Sequence, residues 1–130
     1  MKFNDDEWTE ILTRLEQATN ARTLRWARSD EWSFADEYVA PVPGSVTYAI
    51  RSRDGDEQFP FIVRALDDRG EEVAEFQTAP SDWTASGTSS SAIATRLYET
   101  IARIVTGAPE KAQSLIESLE KLVPQEGEPF

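Results

Sequence analysis

The sequence predicts an α+β fold with an N-terminal helix, an antiparallel meander of four to five strands and two C-terminal helices. Three observations predict it. Apolar residues recur at spacings of three and four near both ends of the chain, the middle alternates apolar with polar residues, and Asp-Gly, Arg-Gly and Pro-Gly pairs punctuate that middle. A chain of 130 residues can bury roughly two-thirds of its unfolded surface. One domain over residues 1–123 is therefore expected, with 124–130 as a loose C-terminal tail.

The first helix has a complete start signal. Asn4 and Glu7 have capping-box spacing, Phe3 and Trp8 occupy the positions of a hydrophobic staple, and Asp5 and Asp6 suit the positive end of the helix dipole. Capping thus accounts for three acidic residues that would otherwise suggest a metal or catalytic cluster. Trp8, Ile11, Leu12, Leu15 and Ala18 form the apolar stripe, which should lie on the sheet, and the helix should end near Asn20.

Thr23 to Arg28 alternates around Leu24 and Trp26 and reads as the first strand, with Trp26 beneath a helix. Glu37 to Val42 reads as the second, limited in length or held at an edge by Pro41, which has no amide to donate. Pro43-Gly44 suits the centre of a type II turn. Val46, Tyr48 and Ile50 then share one strand face, and Phe59, Phe61, Val63 and Ala65 another, while Ile62 and Leu66 ask for cover on the opposite side. After Asp67-Asp68-Arg69-Gly70 the last strand runs from Glu71 to Gln77, with Val73, Ala74 and Phe76 as inward candidates.

Ser86 to Ser91 resembles an anion-binding loop in flexibility, but it lacks the glycine spacing and lysine of a phosphate-binding loop, and serine capping of the next helix explains it. That helix, about Ser91 to Thr106, carries Ala94, Leu97, Tyr98, Ile101, Ile104 and Val105 on one stripe and stops at Gly107. Pro109 opens a third helix with Ala112, Leu115, Ile116, Leu119 and Leu122 before Pro124 ends it. This last stripe exceeds what a two-helix core requires. It should find cover on the back of the sheet or in a homodimer through Leu115, Leu119 and Leu122.

The spaced features Leu24-Arg25-Trp26, Tyr48-Ala49-Ile50 and Leu97-Tyr98-Glu99-Thr100-Ile101 resemble a pattern met in small uncharacterised bacterial proteins: an N-terminal helix, a leucine-x-tryptophan strand, a meander and a leucine-tyrosine-x-x-isoleucine helix. The resemblance covers about three-quarters of the chain by arrangement and implies the α+β fold. It carries over no catalytic residue, and the third helix departs from it.

Composition narrows function by exclusion. Cysteine and histidine are both absent, which removes disulfides, thiolate zinc sites, imidazole bases and serine-histidine triads within the chain. Asp54, Asp56 and Glu57, and Asp67 with Asp68, lie in turns that need such residues and lack the spacing of a calcium loop, so neither a metal nor another cofactor is expected. A net charge of −11 disfavours nucleic acid and favours a basic protein partner. No apolar run is long enough to span a membrane and the acidic N-terminus does not resemble a signal peptide, so a cytoplasmic protein is expected. The expected function is a non-enzymatic protein-binding module, such as an inhibitor or immunity-type protein for a basic partner. The alternative is a small-molecule sensor or carrier whose aromatic pocket uses Trp26, Trp32, Trp83 or Tyr98. Trp32, Phe34, Tyr38 and Trp83 are the candidate binding residues, being too aromatic for idle connections.

Overall fold

The computed structural model describes residues 1–29, 36–79 and 88–123. Helix α1 spans Asp5–Asn20 and begins as its sequence dictates. The Asn4 side chain accepts from the Glu7 amide at 2.8 Å, and the Glu7 carboxylate accepts from the Asn4 amide at 2.9 Å. Phe3 meets Trp8 with ring centroids 5.3 Å apart, so cap and staple together fix the entry of the chain.

Five strands follow: β1 (Ala27–Arg28), β2 (Tyr38–Pro41), β3 (Thr47–Ser52), β4 (Phe61–Leu66) and β5 (Glu72–Gln77). They pair antiparallel in sequence order, as a meander does. Register places Tyr38, Ile50, Val63 and Phe76 in one inward row and Ala40, Tyr48, Ala65 and Ala74 in the next. A bulge between Ala65 and Leu66 shifts β5, so Ala74 and Phe76 pack inward while Val73 stays at the irregularity. Gly44 turns the β2–β3 hairpin with φ 75°, and the Ser45 amide donates to the Val42 carbonyl across it at 3.0 Å. β4 starts two residues later than its apolar pattern does. Pro60 has no amide for the ladder, and the first β4 amide, that of Phe61, donates to the Thr78 hydroxyl.

The first strand is shorter than Thr23–Arg28. The Thr23 and Leu24 amides still donate to the Ala18 carbonyl, and Arg22 turns the chain at φ 62°, so this segment hugs the end of α1 until Ala27. Trp26 is half-buried against α1, with its indole N–H donating to Thr19 Oγ1 at 2.9 Å.

Helix α2 (Ser90–Thr106) is capped by Ser89, whose side chain accepts from the Ala92 amide, and ends at Gly107 with φ 73°. Helix α3 (Ala108–Glu120) starts immediately afterwards, with Pro109 in its first turn. Helices α1 and α2 lie side by side and parallel. The Thr9 and Ser90 hydroxyls share a hydrogen bond at 2.7 Å near their starts, and Glu16 pairs with Arg96 at 3.0 Å one to two turns on. Between these helices and the sheet sits the core, built from Trp8, Leu12, Leu15, Ile50, Val63, Leu97 and Ile101 among others.

Helix α3 contributes no buried residue. Leu115, Ile116, Leu119 and Leu122 are exposed, so the expected cover on the back of the sheet is not what this helix has. Ile62 is nevertheless buried and Leu66 half-buried on that side. There the Arg64 guanidinium donates at 2.6 Å to Glu37, which is itself buried. Among the described residues no helix is long and apolar enough to cross a membrane.

Candidate functional site

The aromatic and acidic candidates divide by location. Trp32, Phe34 and Trp83 lie outside the described residues. Tyr38 is fully buried, its ring 5.7 Å from that of Tyr98 and its hydroxyl accepting from Arg28 at 3.3 Å. Tyr98 is stacked on Phe61 at 4.4 Å and donates to the Asp36 carboxylate at 3.3 Å. Burial first and the Asp36 charge second push the Tyr98 phenol well above its usual range, which keeps it a neutral donor. The Ser52 amide and hydroxyl donate to the same Asp36 oxygen. Asp36, Ser52 and Tyr98 thus form a closed, buried polar centre that ties the start of β2 to β3 and α2.

The turn carboxylates serve their turns. Asp67 accepts from the Arg69 and Glu71 amides at 2.9 Å, and Asp56 accepts from the Gln58 amide at 3.0 Å. Among the described residues no three carboxylates converge as a cation site would require.

Two open surfaces stand out among the described residues. The first is the outer face of α3 and the turn after it, where exposure runs from 48% at Ile116 to 80% at Leu122. Leu115, Ile116 and Leu119 lie on one side of α3, and Leu122 follows in the turn just after it, so the four make one apolar strip. Glu110 and Glu117 fall on the opposite face of the helix. These apolar residues were readable as a stripe in the sequence; only the fold leaves them outside.

The second is a groove of about 660 Å³ between α1, the segment after it and the β2–β3 hairpin. Ile11, Leu15 and Ala18 line it from the helix, Leu24 from the connection, and Val42 and Tyr48 from the hairpin. Its origin is geometric. β1 pairs only with Tyr38 and Val39, so the far end of β2 has no outer neighbour in the sheet, and the prolines at 41 and 43 offer no long side chain to fill the gap against α1. Tyr48 is half-buried in this groove, and burial raises its phenol above the usual value. Neither Tyr48 nor Arg25 at the rim was singled out by aromatic density in the sequence. The signal available was the Pro-Val-Pro-Gly hairpin beside an incomplete strand.

No family model, no curated protein and no solved structure matches the chain.

Proposed function

We propose that the chain is a non-enzymatic protein-binding module that docks through α3 as an inhibitor or immunity-type protein on a basic partner. The observation that carries this reading is the apolar strip of Leu115, Ile116 and Leu119, exposed on a helix that buries none of its residues, and of Leu122 just beyond its end. An amphipathic helix of this kind fits a hydrophobic groove on another protein, with anchors one turn apart entering successive pockets. The net charge of −11 would speed encounter with a basic surface while repelling nucleic-acid phosphates. Absence of histidine and cysteine from the sequence adds to the case for binding over chemistry.

The test is affinity capture from the native host with the parent and the Leu115→Asp/Leu119→Asp variant, at low and raised salt, beside light scattering across dilution. A partner held by the parent, lost by the variant and weakened by salt supports the reading. Identical capture by both proteins removes α3 as the docking element. A parent dimer that becomes a folded monomer on substitution assigns the strip to self-association instead.

A further inference from the structure

The groove between α1 and the β2–β3 hairpin is a separate surface from α3, and its lining is specific enough to name a ligand class. Its volume of about 660 Å³ lies within the roughly 300–1,000 Å³ of small-molecule sites. Ile11, Leu15, Leu24 and Val42 give it an apolar wall. Two polar groups stand in that wall without a partner. Among the described residues the half-buried Tyr48 hydroxyl makes no hydrogen bond, and the Arg25 guanidinium makes no ion pair.

The remaining charges of the groove are already matched. Glu10 and Arg14 pair with each other at 2.9 Å, one turn apart on α1. Two arginines against one glutamate leave this lining at +1, on a chain whose net charge is −11. A polyanion would be repelled by the rest of the surface, whereas a single negative charge can be held at Arg25 and accept from Tyr48. A purely apolar ligand would leave both donors unused.

From this combination we infer that the groove binds a small amphipathic monoanion, an apolar chain or ring bearing one carboxylate, with the carboxylate at Arg25 and Tyr48 and the apolar body against α1. The inference does not depend on the role of α3.

Octanoate, 1-octanol and octylammonium share one chain and differ only in the head, so they separate the apolar contribution from the charge. Titrating each into the isotope-labelled full chain and following amide shifts gives site and affinity together. Octanoate should saturate with shifts at Ile11, Leu24, Arg25 and Tyr48, bind about tenfold more tightly than 1-octanol, and outcompete octylammonium. Arg25→Gln with Tyr48→Phe should lower octanoate affinity by about tenfold and leave 1-octanol unchanged. Four results would overturn the proposal: no saturable octanoate binding, shifts confined to α3, equal affinity of octanoate and octanol for the parent, or a folded double variant that binds octanoate as the parent does. The comparison of heads on the parent stands even where the double variant fails to fold.

Discussion

Tyr98 shows how a single side chain can be both packing and polar support. Its ring stacks on Phe61 at 4.4 Å while its hydroxyl satisfies Asp36, a carboxylate buried beneath α2. Sequence spacing placed Tyr98 on the inner stripe of a helix, but its partner lies sixty-two residues away in the chain. Its phenol is raised by burial and by Asp36, so its proton is held more tightly in the folded chain than in the unfolded one. Below about pH 10 both states are protonated and the contribution is complete. Above it the unfolded chain ionises first, so stability must fall as pH rises. Melting temperatures measured from about pH 9 to about pH 12 should decline, and Tyr98→Phe should start lower yet decline less steeply. Equal slopes for parent and variant would remove Tyr98 as the source. Tyr48, raised by burial alone, works in the same direction and accounts for a residual slope.

Helices α2 and α3 have comparable apolar stripes, and their fates differ completely. α2 buries Ile93, Leu97, Tyr98 and Ile101, whereas α3 buries nothing. Width supplies the reason. Five strands about 4.8 Å apart span about 19 Å, which two helices of about 10 Å diameter fill, and α1 and α2 already occupy that face. Leu97→Ala should therefore cost ~2 to 5 kcal/mol through lost burial and a cavity. In contrast, Leu115→Asp/Leu119→Asp should change stability by less than about 1 kcal/mol, as surface substitutions do. Urea unfolding of both variants checks the contrast, and a loss above about 2 kcal/mol in the α3 variant would mean that this helix supports the fold.

Across the whole molecule the excess of acidic residues is spread rather than gathered: Asp5 to Glu7 at the start of α1, Asp54 to Glu57 after β3, and Asp67 to Glu72 around the β4–β5 turn. Each group has a local task in a cap or turn, yet together they charge the chain to −11. Mutual repulsion of this size destabilises the compact state. Salt shortens its reach from about 30 Å at 0.01 M to about 8 Å at 0.15 M. The exposed pairs Glu10–Arg14 and Arg53–Asp54 are weakened by the same screening, but such pairs contribute little. The melting temperature should thus rise by a few degrees over that range of sodium chloride. A flat or falling melting temperature would show that attractive pairs outweigh the repulsion.

What the sequence determined by itself is local: the Asn4–Glu7 capping box, the Ser89 cap, the Gly44 and Gly107 turns, and the alternation that makes Tyr48, Ile50, Phe61 and Val63 one sheet face. These are legible because each rests on residues within about one turn or one strand of one another. The start of the first strand was misplaced for the same reason, since alternation around Trp26 cannot reveal that the Ala18 carbonyl still holds the Thr23 and Leu24 amides. Only the tertiary structure decided which stripe received the sheet, that Tyr38 belongs to the core, and that Ile11, Arg25 and Tyr48 border one groove. A stripe states that an element needs cover, but the cover is supplied by residues distant in the chain. Where the face of the sheet is already full, as it is for α3, the same pattern becomes an exposed surface.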